Sequence, residues 1–288
     1  MEYVKLYKGK HYHKKRTKKQ NIKNKNRKVI VFDFDETIGS FSELKMLWLF
    51  IKENIIIDSN DTQTLLNEIL DLYPEFLRYG ILYIFKYLHI KKMEKECSNI
   101  YIYTNNQCSS YWVTFISNYI NNKVNNEEEK NIFDKIIYAF KINNIQIEMN
   151  RTTSMKTYGD FINCTLLPES TEICFIDNSY YPKMKNEKVY YIQPIAYNHK
   201  LTLETIISRF LSYDLYKKYN FTYDSLYKWF FMNRTYNIRE IVSLKTDIYV
   251  TQRLMYYLQD FLSFPHNGDK TLKRRQMKLN STLKNKIL

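Results

Sequence analysis

Glycine and proline are scarce, with five of each in 288 residues. Few points of the backbone can turn freely, which singles out Gly39, close behind two aspartates. Cysteine is as sparse. Cys97, Cys108, Cys164 and Cys174 form no C-x-x-C pair. That argues for a reducing compartment and against a zinc site or a disulfide frame. No apolar signal stands at the N-terminus, and no apolar run reaches the ~18 residues of a membrane span. Residues 76–90 come nearest, but Arg78 and Lys86 interrupt them. That stretch reads as a buried helix. A membrane partner is excluded and an intracellular protein expected. No internal repeat occurs.

What is present is ample apolar matter: 44% hydrophobic residues, 16% aromatic. The length suits one large domain and an appendage. Asn, Lys, Ile and Tyr are abundant throughout, as AT-rich codons would produce. Tyrosine plus lysine therefore weighs little as a sign of nucleic-acid stacking. The net charge of +14 is uneven: residues 1–28 carry +11, residues 266–288 carry +6, and the rest is near neutral. Two basic arms read as anchors to nucleic acid or acidic surfaces, or as an import signal. The run Lys14–Lys19 fits a nuclear one. The alternative is a pair of solvated, disordered tails without a specific partner.

The chain is organised around VIVFDFDET, residues 29–37. Val29 to Phe32 form a short apolar, β-branched run, read as a buried strand. Asp33 and Asp35 follow at its C-terminal end. In extended chain, positions i and i+2 point to one side, so both carboxylates enter one crevice. Two like charges so close need a cation, or one must keep its proton. Either arrangement suits phosphoryl transfer, with one aspartate attacking phosphorus and the other protonating the leaving oxygen. The plain alternative is a strand-end turn with solvated or capping aspartates.

Helical spacing follows at residues 42–53 and 60–73, and a third helix is expected over 75–93. IYIY, residues 100–103, is a second buried strand ending on Thr104-Asn105-Asn106-Gln107. A hydroxyl there, before a helix over 110–121, suits phosphate oxygens, and equally suits an ordinary N-cap. A third strand is expected over 136–140. NRTTSMKTYGD, residues 150–160, then offers Lys156 and Arg151 to neutralise phosphate. EICFIDN, residues 172–178, is a fourth strand ending on Asp177-Asn178, which hard cations would accept as ligands. An Asx turn is the other reading. KVYYI, residues 188–192, reads as an edge strand. Beyond His199, helical faces recur around Leu203–Leu211 and Met255–Leu262, and residues 221–236 are dense in aromatics.

Four strand ends thus carry D-x-D-x-T, a threonine, a lysine and an acid–amide pair, in that order. This pattern resembles the haloacid dehalogenase (HAD) phosphohydrolase superfamily. DFDET, YTNNQ and FIDNS look most like the NLI-interacting-factor-like group, which includes phosphatases of the RNA polymerase II C-terminal domain. The layout is similar to versions carried by large DNA viruses. The resemblance covers about residues 28–195. It implies a Rossmann-like parallel sheet with helices on both faces. It also implies Asp33 as nucleophile, Asp35 as general acid and base, and Thr104 and Lys156 as grips on the transferring group. Mg²⁺ would be held by Asp33, Asp35 and Asn178 with Asp177 in support. Thr37, Asn105 and Arg151 would contact substrate or orient the loop. The group's short β-insert after the first motif is absent; residues 41–73 look helical instead.

The expected organisation is a basic disordered arm (1–28), a HAD-like domain (29–198) with a helical insert (41–73), a helical appendage (199–265) and a basic tail (266–288). The expected activity is a Mg²⁺-dependent phosphatase on phosphoserine or phosphothreonine of a protein substrate, in the cytoplasm or nucleus of a host cell. Alternatives are hydrolysis at polynucleotide ends, with the basic termini contacting nucleic acid, and an idle HAD fold serving as a binding scaffold.

Overall fold

In the computed structural model, the described residues are 2–13, 27–55, 61–125, 131–217, 219–233 and 240–263. The Lys14–Lys19 run and the tail 266–288 lie outside them.

The strands are β1 (Val4–Lys8), β2 (Lys28–Phe32), β3 (Asn99–Tyr103), β4 (Lys135–Ile137), β5 (Lys141–Ile142), β6 (Ile145–Gln146), β7 (Glu172–Ile176) and β8 (Val189–Pro194). The helices are α1 (Ser42–Asn54), α2 (Thr62–Leu72), α3 (Ile81–Met93), α4 (Ser110–Val124), α5 (Tyr158–Thr165), α6 (Leu203–Ser212), α7 (Asp214–Lys217), α8 (Tyr223–Asn233) and α9 (Leu244–Ser263). Six strands form one sheet in the order β1-β8-β7-β2-β3-β4, and β5 and β6 make a separate hairpin. All pairings of the sheet are parallel except β1 with β8. The fold is α/β and Rossmann-like.

β2 lies in the middle, buried along its whole length. Alternate residues supply two cores. Ile30, Phe32, Ile100, Ile102, Cys174 and Ile176 face one side, packed with apolar residues of α1 to α4, α6, α8 and α9. Val29, Val31, Tyr101, Tyr103, Ile173 and Phe175 face the other, covered by Phe161 and Cys164 of α5. A central parallel strand buried on both faces needs this unbroken apolar run. The chain leaves β2 for β3 and β4 on one side and returns to β7 on the other. Between the C-terminal ends of β2 and β7 it therefore opens a crevice.

Within residues 41–73 the described parts are helical as expected, forming α1 and α2. Leu44, Leu47, Ile51, Leu66, Ile69 and Leu70 are buried in the main core, so α1 and α2 are packing helices. The C-terminal helices share that core. The α9 end is held by Lys28, whose ammonium donates to the carbonyls of Phe261 and Leu262, both at 2.9 Å.

Four expectations are corrected. The arm 1–28 is not wholly disordered: β1 pairs with β8 over five residues, with Val4 buried and Tyr12 tucked behind it. High lysine density hid an alternation in which Val4 and Leu6 face inward. The strand after Lys188 is consequently interior, flanked by β7 and β1. The helix expected over 75–93 is broken. A 3-10 turn, Pro74–Phe76, precedes Leu77, which bridges to Gly39, and Gly80 turns left-handed at φ 73° before α3. Strand three is shorter, Lys135–Ile137.

Candidate active site

Asp33 follows β2 directly, its N–H donating to Ile176 O of β7 at 2.8 Å. Asp35 to Gly39 form a tight turn closed by Glu36 N to Gly39 O, 2.8 Å, and Ile38 N to Phe34 O, 2.9 Å. Glu36 adopts a left-handed φ of 52°, uncommon for a residue with a Cβ. Its carbonyl is held by Tyr197 N at 2.8 Å and Arg78 Nη2 at 2.6 Å. Arg78 Nε also donates to Thr37 O at 2.6 Å. Gly39 is required by packing: a Cβ there would sit 2.5 Å from Phe76 O.

Thr37 is buried and donates to Asp33 Oδ2 at 2.9 Å. Its Oγ1 also accepts from Asn178 N at 3.1 Å, tying the β2 end to the β7 end. Lys156 precedes α5, whose N-cap Thr157 accepts from Asp160 N at 3.0 Å. This ammonium is 1% exposed and donates to Asp33 Oδ1 and, at 2.7 Å, to Asp177 Oδ2. The rings of Tyr103 and Tyr181 flank it at 5.8 and 5.3 Å. Burial alone would lower the Lys156 pKa, but Asp33 and Asp177 outweigh it and the net shift is upward. Burial and the Asp33 charge push Asp177 up to about 7, against the pull of Lys156. The ammonium stays charged, because the Asp33 and Asp177 carboxylates both accept from it.

Asp35 stands apart from the ammonium. Burial, then the neighbouring Asp33 charge, push its carboxyl up to about 7, and the Asn106 amide pulls the other way. The two aspartates thus have different partners: Asp33 an ammonium and a hydroxyl, Asp35 an amide.

Thr104 is fully buried at the β3 end, its Oγ1 accepting from Asn106 N at 2.9 Å. Asn105 bonds sideways, accepting from Arg151 Nη2 at 2.8 Å and donating to Tyr181 Oη at 3.3 Å. Arg151 is corrected as a substrate contact. It is 1% exposed, and its guanidinium is taken up by Thr104 O, Tyr138 O, Ser154 O and Asn105. It braces the β3 loop from behind.

The structure therefore links Asp33, Thr37, Lys156, Asp177 and Asn178 by hydrogen bonds, with Asp35 beside them and bonded to Asn106. Asn106, Arg78 and Tyr181 were missed from sequence. Asn106 carried a signal in its place two residues after Thr104; Arg78 and Tyr181 carried none.

Among the described residues, no group of three or more His, Cys, Asp or Glu is arranged to hold a metal. The oxygen set here is mixed. The inward amide atom of Asn178 lies 2.9 Å from Thr37 Oγ1 and 3.2 Å from both Asp35 O and Asp33 Oδ2. With the NH₂ inward these are hydrogen bonds. With the oxygen inward it would join Asp35 O and Asp33 Oδ2 as oxygen donors of the kind a hard cation takes.

Comparison with protein-family models, with curated proteins and with solved structures gives no match to this chain.

Proposed function

We propose that the chain is a Mg²⁺-dependent phosphomonoester hydrolase that works through an aspartyl-phosphate. The observation that carries this reading is the division of labour between the two aspartates. Lys156 and Thr37 orient Asp33, while burial and the Asp33 charge push the Asp35 carboxyl up to about 7. A carboxyl titrating there can give and take a proton at neutral pH.

Asp33 attacks phosphorus and the bond to the leaving oxygen breaks as Asp35 passes its proton to that oxygen. Asp35, now a carboxylate, then takes a proton from water, whose oxygen attacks the same phosphorus. Phosphate leaves and Asp33 is restored. Lys156 balances part of the phosphoryl charge, and the Thr104 turn at the β3 end reaches Asp35 through Asn106. Asp33, the Asp35 carbonyl and Asn178 would hold Mg²⁺, with Asp177 beside them. When bound, the ion would screen charge on the phosphate. The donor set fits a hard cation: with Asp35 holding its proton, Asp33 and Asp177 against Lys156 leave a charge of about −1, which a divalent cation would offset.

The substrate we favour is a phosphoserine or phosphothreonine of a protein. The support is that the described residues of α1 and α2 are bound into the core as packing helices and do not form a separate lid domain. One observation favours a polynucleotide end as the second reading. Tyr180, beside Asn178, is exposed and lies 4.8 Å from the ring of Tyr7 on lysine-rich β1, a stacking platform next to the site.

The test is phosphate release from an aryl phosphate, with Mg²⁺ and with chelator, by the wild type and Asp33→Asn. Turnover that needs Mg²⁺ and falls by about 10³-fold or more in the variant is expected. A folded wild type with no turnover on aryl phosphate, phosphopeptides or phosphorylated DNA ends would leave the scaffold reading standing.

A further inference from the structure

A second cavity lies behind the catalytic turn. It has a volume of about 360 Å³ and is lined by Leu77, Arg78, Tyr79, the first turn of α3, Tyr119, Tyr197, Lys200 and Asp247. That is within the range of small-molecule sites. The walls are largely apolar and aromatic. Two polar features point to a charged occupant.

The first is Arg78. It is 3% exposed, and among the described residues its bonds are Nε to Thr37 O and Nη2 to Glu36 O and Ile195 O. Among the described residues Nη1 makes no hydrogen bond; it is not shut off from solvent, and Arg78 lines the cavity. An arginine this deeply buried holds its charge at a cost, which an anion at the open donor would offset. The second is the start of α3. Its cap is Gly80, which offers no side chain, and its first turn holds no acidic residue. The positive end of the helix dipole therefore opens on the cavity wall. The carboxylates present are already engaged. Glu75 is clamped by Arg209 at 2.9 and 3.0 Å, and Asp247 is paired with Lys200 at 2.9 Å.

We propose that this cavity binds a small organic carboxylate with a flat apolar body. The carboxylate would accept from Arg78 Nη1 at the α3 N-terminus, and the body would lie among Leu77, Tyr79, Leu82 and Tyr197. Nothing in this depends on the activity assigned to the aspartates. The wall is nonetheless bonded to the catalytic turn, through Arg78 N to Ile38 O at 2.9 Å and Ser40 N to Phe76 O at 2.8 Å.

The test is titration calorimetry on the full chain with indole-3-acetate and, as the neutral isostere, indole-3-acetamide. Loss of a charge-assisted bond predicts that the acid binds at least about tenfold more tightly than the amide. Replacing Arg78 would remove three backbone clamps and unfold the turn. Leu82→Trp, which fills the cavity from a partly buried position, is the variant to use, with a cooperative melt as its check of folding. It should abolish the preference for the acid. Equal affinity for acid and amide, unaltered binding by a folded Leu82→Trp protein, or no binding of the acid up to about 10 mM overturns the proposal.

Discussion

Asn106 donates through Nδ2 to both carboxylate oxygens of Asp35, at 3.0 and 2.8 Å. No other hydrogen bond to that carboxylate is formed among the described side chains, so its ionisation is governed by burial and by the Asp33 charge.

Stability should therefore fall as pH rises through the interval between the unfolded and folded values. Asp35 is raised from 3.8 to about 7. Between these the unfolded chain releases its proton and the folded chain keeps it, so folding weakens with rising pH and levels off above about 7. Asp35→Asn removes this loss. In chelator, urea melts at pH 8 should show it more stable than the wild type by about 2–3 kcal/mol, below the full shift because Asp35 retains solvent contact. At pH 4 the two proteins should match. An equal gain at both pH values would show that ionisation is not the cause.

Lys156→Met leaves Asp33 and Asp177 facing each other without the ammonium between them. Removal of one member of a buried ion pair costs about 3–5 kcal/mol. Adding Asp177→Asn should recover part of it, giving a clear coupling in a double-mutant cycle. Additive losses in denaturant melts would mean the three groups do not act as a unit.

Mg²⁺ should stabilise the wild type, because a ligand that binds only the folded state raises its melting temperature. Asn178→Leu keeps the volume and deletes an oxygen donor. The expected result is a melting temperature that rises with millimolar Mg²⁺ in the wild type and barely moves in the variant. An equal rise in both would place the ion elsewhere.

Tyr12→Ala tests the docked N-terminal segment. Tyr12 is 6% exposed, packs on Tyr190 and Phe261, and donates to Lys188 O at 2.9 Å. Truncating a buried aromatic side chain should cost about 3–5 kcal/mol. A loose arm would give a change within about 0.5 kcal/mol in the same melts.

Three of the four motifs stand at strand ends and were legible because each is local; Lys156 lies instead in the loop before α5. Val29–Phe32 and Glu172–Ile176 are short apolar runs that end on charge, and both formed parallel strands. β1 was not legible. Its residues alternate weakly among lysines, and only the free edge of β8 makes pairing favourable. The break before α3 was hidden likewise, since Leu77 leaves helical geometry to bridge Gly39 across the sequence. Arg78 shows the same limit. From sequence it served to reject a membrane span, and among the described residues no helix is long and apolar enough to cross one. Its service to the carbonyls of Glu36 and Thr37 depends on a fold that brings residues forty apart together.

The sequence by itself determined the α/β class, the central strand and the aspartate pair, because periodicity and residue type act over a few neighbouring positions. Tertiary structure alone decided that Lys156 bridges Asp33 and Asp177, that Asn106 attends Asp35, and that Arg151 braces a loop instead of facing the crevice. Those outcomes rest on side chains from β2, β3, β7 and the α5 approach meeting at one sheet edge. The distances and burial that set their charges do not exist until the sheet is assembled.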